Sequence, residues 1–131
     1  MTYDPKDIFT QDDLTRLIKS GTINKDIIIR GDYLQVLNGV EKVKGCLGIS
    51  DSSLKSLGDL KEITGDFWMS SHTVFSRLTS LGKLEKIGGE VSLRYSNIID
   101  LGALREVGGK FSLRDTWRIR SILTPLNRKH L

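Results

Sequence analysis

Cysteine, histidine and proline are scarce in this chain, and each scarcity excludes something. Cys46 is the single cysteine. No disulfide can form within the chain, so packing must hold the fold, which suits a reducing compartment. One cysteine and two histidines cannot assemble a Cys₄ or Cys₂His₂ metal site. No stretch approaches the roughly 18 continuous apolar residues of a membrane span, so no membrane partner is expected. The opening Met1-Thr2-Tyr3-Asp4-Pro5 has no charged-then-apolar pattern. It is read as carrying no secretory leader, and a cytoplasmic location is expected. Gly-x-Ser-x-Gly, the P-loop and the dinucleotide fingerprint are all missing. Cys46 and His72 are the one Cys/His pair to consider for nucleophilic chemistry, and nothing in the pattern brings them within hydrogen-bond reach. The chain is therefore read as no enzyme, with no cofactor and no metal.

The composition that remains is that of an ordinary globular domain: 131 residues, 38% apolar and 27% charged. The formal net charge of +4 is unevenly placed. Residues 1–104 carry 13 Lys/Arg and 14 Asp/Glu, whereas residues 105–131 carry seven basic residues against Glu106 and Asp115, a local net of +5. A basic end steers anionic partners, or is simply a solvated tail.

A repeat organises the middle of the chain. Gly45, Gly65, Gly89 and Gly109 each precede an alternating segment, at spacings of 20, 24 and 20 residues. The inward residues of these segments are Leu47/Ile49, Phe67/Met69, Val91/Leu93 and Phe111/Leu113, and Ile27/Ile29 fit one period earlier. Before each segment runs a period-three pattern: Leu37-Asn38-x-Val40-x-x-Val43, Leu57-Gly58-x-Leu60-x-x-Ile63, Leu81-Gly82-x-Leu84-x-x-Ile87 and Leu101-Gly102-x-Leu104-x-x-Val107. Leu34, Leu54, Leu78 and Ile98 lie three residues upstream. Such a unit buries its apolar side only by stacking on its neighbours. Asn38, Gly58, Gly82 and Gly102 are read as left-handed backbone positions. Two charged columns support the alignment. Glu41, Lys61, Glu85 and Arg105 alternate in sign from turn to turn, and so do Lys42, Glu62, Lys86 and Glu106. Stacked roughly 4.8 Å apart, each charge would lie between opposite ones.

With units reading Leu-Gly-x-Leu-x-x-Ile-Gly-Gly-x-Leu-x-Leu, residues 27–117 resemble the leucine-rich-repeat family, in its short bacterial, phage-type and receptor-L-domain forms. The resemblance implies an α/β solenoid: a right-handed coil with about five parallel strands on one face. The asparagine that usually follows the strand is replaced by Asp32, Ser52, His72, Ser96 and Thr116. The expected organisation is one domain, 1–131, with an N-terminal helical cap at 1–25, repeats at 26–116, and a C-terminal cap and basic tail at 117–131. Thr10 as N-cap, Asp12 and Asp13 in the first turn and Gly21 as the stop predict a helix over 11–20, with Phe9 and Leu14 as a hydrophobic staple.

The family binds through the exposed side of its strands. Here that side has three columns: Asp26, Cys46, Asp66, Glu90, Lys110; Ile28, Gly48, Trp68, Ser92, Ser112; and Arg30, Ser50, Ser70, Arg94, Arg114. Trp68 among small neighbours is either a binding anchor or a side chain packed beneath the N-terminal segment or the four-residue insertion near 71–77. Asp66, His72 and Phe75 accompany it as candidates. Arg94, Tyr95, Arg114, Trp117, Arg118 and Arg120 form a second, basic and aromatic group suited to a phosphate backbone or an acidic protein, with Trp117 also able to anchor the cap's core. Asp66 and Glu90 could form a carboxylate pair or stand solvated. The expected function is binding of another protein through the strand face and the 70–78 loop. By family analogy such a module is an inhibitor or adaptor, for example a phage-type inhibitor of host defence. The alternatives are nucleic-acid binding by the basic C-terminal edge and a structural homo-oligomer.

Overall fold

The computed structural model describes residues 4–70, 77–93 and 96–112. They form a parallel β-solenoid of about five turns with two sheets. The first sheet contains β1 (Lys6–Ile8), β4 (Ile27–Gly31), β6 (Leu47–Ser52), β8 (Phe67–Ser70), β10 (Val91–Ser92) and β12 (Phe111–Ser112), in that order and with every pairing parallel. The second contains β2 (Ile18–Lys19), β3 (Thr22–Ile23), β5 (Lys42–Val43), β7 (Glu62–Ile63), β9 (Lys86–Ile87) and β11 (Glu106–Val107), and only its β2–β3 pair is antiparallel. The C-terminal cap expected at 117–131 and most of the insertion near 71–77 lie outside the described residues.

The register follows the repeat residue by residue. Ile27, Leu47, Phe67, Val91 and Phe111 stand opposite one another along the first sheet. Ile23, Val43, Ile63, Ile87 and Val107 do the same in the second. Between the sheets lie the period-three leucines and valines, all buried in a single cluster that runs the length of the coil. Alternation forces this arrangement, because a one-residue slip would turn each strand's apolar set toward water.

The expected α/β character is corrected. Among the described residues one helix occurs, α1 (Gln11–Thr15), five residues long. The return path, whose period-three spacing left its backbone undefined, is drawn into two-residue strands because each turn's N–H groups meet the carbonyls of the turn before. Lys61 N donates to Glu41 O at 2.8 Å, and Thr64 N to Val43 O at 3.0 Å.

The helix predicted over 11–20 is also shorter than expected. Its start is as read: Thr10 accepts from Asp13 N at 3.2 Å, and the Asp13 carboxylate accepts from Thr10 N at 3.1 Å and from Phe9 N at 2.9 Å. These donors, Phe9 first, hold the Asp13 carboxyl below the usual aspartate value. Its end is not as read. Ser20 and Gly21 have φ of 52° and 79°, the positive pair that a two-residue type I′ hairpin turn requires. Gly21 is thus a hairpin residue rather than a helix stop, and Ile18–Lys19 fold back on Thr22–Ile23. Phe9 is 44% exposed, with its ring beside Gly31, while Leu14 is buried. Upstream, Lys6–Ile8 adds a sixth strand to the first sheet, which the sequence did not reveal.

The left-handed corner recurs as expected at Gly58, Gly82 and Gly102, with φ of 62°, 55° and 57°. In the first turn it falls on Gly39 (φ 84°) rather than on Asn38, since glycine takes that conformation more cheaply. Ser56, Ser80 and Asp100 each accept the N–H of the glycine two residues on, at 2.9, 3.0 and 2.8 Å. No helix among the described residues is long and apolar enough to cross a membrane.

Candidate functional site

The outward side of the first sheet carries the residues singled out from the sequence. The second column is in register across five strands: Ile28, Gly48, Trp68, Ser92 and Ser112. Two of these positions are not the exposed sites the repeat implied, because Ile28 (6% exposed) and Gly48 are buried. Trp68 is half-buried. The six-membered ring of its indole lies over Gly48, and a Cβ added there would clash with Cζ2 and Cε2. Glycine on one strand and tryptophan on the next thus form a single unit, in which a large aromatic ring covers a backbone that has no side chain of its own. The repeat placed Gly48 beside Trp68 in one column but did not reveal that the ring is seated on it. The available signal was the one glycine in the outward column, standing at the tryptophan's own register.

The first column has a structural task that sequence analysis did not foresee. Asp26 Oδ1 accepts from Cys46 N at 2.7 Å, Cys46 Sγ from Asp66 N at 3.3 Å, and Asp66 Oδ1 from Glu90 N at 2.8 Å. Each side chain therefore satisfies the corner N–H of the following turn, and the three bonds form a ladder along the leading end of the strands. At Gly45, Gly65 and Gly89 the ladder atoms, together with the backbone of the preceding turn, leave no room for a Cβ. A Cβ on Gly65 would stand 2.8 Å from Cys46 Sγ, and one on Gly89 would meet Asp66 Oδ1. Cys46 is a free thiol, and burial pushes its pKa above the ordinary cysteine value. The Asp66 N–H opposes that shift, while the Asp66 and Asp26 carboxylates add to it. Asp66 and Glu90 remain exposed while joined through this ladder.

In the third column Arg30 is held on both sides. Its Nε donates to Asp7 Oδ1 of β1 at 2.8 Å, and its Nη1 to Ser50 Oγ at 3.4 Å. At the end of β6, Asp51 adopts φ 47° and the register with β4 slips, so that Gly31 stands opposite Ser52. Ser52, at the end of β6, and Ser96, beyond β10, accept from Leu54 N at 3.1 Å and Ile98 N at 3.5 Å within their own turns.

On the second sheet the charge columns form ion pairs: Lys42 to Glu62 at 3.5 Å, Lys86 to Glu106 at 3.2 Å and Arg105 to Glu85 at 3.3 Å. Arg105, counted with the basic end, is therefore engaged within the solenoid.

Of the candidate site residues, the structure brings Trp68 and Asp66 together on one face of β8 and its leading corner. His72, Phe75, Arg94, Tyr95, Arg114, Trp117, Arg118 and Arg120 lie outside the described residues. Comparison with protein-family models, with curated proteins and with solved structures finds no match to this chain.

Proposed function

We propose that the chain is a non-catalytic binding module that engages another protein through the strand face centred on Trp68. The observation that carries this reading is the setting of the indole. It is half-buried against Gly48, and its register neighbours are Gly48 and Ser92. A tryptophan fixed in place by its own scaffold binds with little further loss of side-chain freedom, and tryptophan is enriched at the centres of protein interfaces. The solenoid supplies the rigidity, because each turn is bonded to the next along both sheets and through the Asp26–Cys46–Asp66 ladder.

Three finer features belong to the same proposal. The coil is of the leucine-rich-repeat type and right-handed, as the Leu-Gly-x-Leu-x-x-Ile unit and the strong preference of parallel crossovers suggest. The N-terminal segment with α1 closes the first turn. The module works in a reducing compartment as an inhibitor or adaptor, a reading that rests on analogy with other small repeat modules.

The test is affinity capture from lysate of the source cell with wild type, with Trp68→Ala and with Arg94, Arg114 and Arg118 changed to Glu, each with and without nuclease. A protein retained after nuclease and lost with Trp68→Ala is the expected result. Retention that needs nucleic acid and fails only with the arginine changes would replace this reading with nucleic-acid binding through the basic end.

A further inference from the structure

The protein-binding reading of this face can be taken one step further, to the chemistry of the group that meets Trp68. We propose that Trp68, Asp66 and Glu90 form a subsite for a basic side chain, arginine or lysine, presented by a partner protein. This inference rests on the reading of the strand face as a protein-binding surface.

Three observations converge on a cation. The indole is half-buried and seated over Gly48, so the part left uncovered is held at a fixed place on the sheet. The faces of aromatic rings attract cations. Strand alternation puts Asp66 on the same side as Trp68, and the register that sets Ser92 beside Trp68 sets Glu90 beside Asp66. Both carboxylates are exposed, and Asp66 Oδ1 is already fixed by Glu90 N at 2.8 Å. Among the described residues, Trp68's neighbours on this face are Gly48, Ser50, Ser70 and Ser92, which offer an aliphatic side chain little apolar surface besides the ring itself. Phosphate or a carboxylate at the same place would meet Asp66 and Glu90 as like charges. Of the described cations on this face, Arg30 is occupied by Asp7 and Ser50, and Lys110 stands beyond Glu90, one turn farther from Trp68.

The charge can be removed without removing the scaffold. Asp66→Asn keeps an oxygen to accept the Glu90 N–H, and Glu90→Gln keeps the side-chain length. In the full chain carrying Trp117→Phe, Trp68 is the sole tryptophan and its emission reports on the subsite alone. That protein is titrated at low salt with capped tetra-arginine, capped tetraglutamate and oligothymidylate. Its indole N–H resonance is followed in parallel. Tetra-arginine is expected to give a saturable change and tetraglutamate none. Asp66→Asn with Glu90→Gln should weaken the response about tenfold or more, given the usual strength of charge pairing at interfaces. The melting temperature of that variant is measured alongside, and Glu90→Gln alone serves if the double change unfolds the chain. An unchanged indole signal, a response equal in the charge-neutral variant, or an oligothymidylate response as large as that of tetra-arginine overturns the proposal. Capture of a protein that is lost with Trp68→Ala but undiminished by the neutral variant would overturn the cation subsite and leave the face reading intact. Capture indifferent to both would overturn both.

Discussion

The Trp68 indole occupies the space above Gly48 that any side chain on the neighbouring strand would need. The two residues are register partners twenty positions apart in the sequence, so the ring's orientation depends on the preceding turn. Gly48→Ala should push the indole off the sheet. The expected outcome is a red-shifted Trp68 emission in a Trp117→Phe background and a loss of about 1–3 kcal/mol in urea unfolding, the usual cost of overfilling a packed site. Unchanged emission would show that the ring is not seated there.

The corner ladder predicts a difference between two substitutions at one position. Asp66→Asn preserves an acceptor for Glu90 N, whereas Asp66→Ala leaves that N–H without its side-chain partner. The alanine variant should lose about 1 kcal/mol and the asparagine variant a small fraction of that, measured by urea denaturation. Equal losses would argue that the hydrogen bond contributes nothing.

The capping box makes part of the stability dependent on pH. The folded Asp13 carboxyl has a pKa lowered by Phe9 N–H, its largest favourable partner, and by the Thr10 groups. A lowered folded value stabilises the protein above the unfolded aspartate pKa, and that contribution is lost as pH falls through the folded value. Wild type and Asp13→Ala should therefore differ in melting temperature at neutral pH and converge in acid. Thr10→Ala, which removes the other half of the box, should cost about 1 kcal/mol at neutral pH.

Alkylation offers a direct reading of Cys46. Its thiol is shielded by burial and lies beside Asp66 and Asp26, so its pKa is held above the ordinary cysteine value and the thiolate fraction at a given pH is reduced. Iodoacetamide should react more slowly with the folded protein than with the same chain in denaturant, and the rate should keep rising beyond pH 9.0. Rapid modification of the folded protein at neutral pH would contradict this environment.

The charge columns of the second sheet should set register more than stability. Lys86 is paired with Glu106 at 3.2 Å and stands opposite Glu62. Lys86→Glu should cost up to about 1 kcal/mol at low salt, and the cost should shrink as salt is added. Exchanging the charges at 86 and 106 together should recover less than a simple pair would, because the carboxylate introduced at position 86 would then repel Glu62.

The sequence by itself determined which side chains face inward and how the turns stack. Period-two alternation in each strand and the spacing between Leu47, Phe67, Val91 and Phe111 leave one register that buries all four. Local chemistry also sufficed for Thr10 as an N-cap and for the left-handed glycines, since these depend on a few adjacent residues. The tertiary structure decided whatever depends on pairing across turns. It drew the return path into a second sheet, recruited Lys6–Ile8 as an edge strand, and folded 18–23 into a hairpin. It also turned Asp26, Cys46 and Asp66 from outward-facing side chains into acceptors for the next turn, and it seated Trp68 on Gly48. Hydrogen bonds between residues twenty positions apart, and the space a glycine leaves for a neighbour's ring, exist only once the turns are stacked. No local pattern along the chain encodes them.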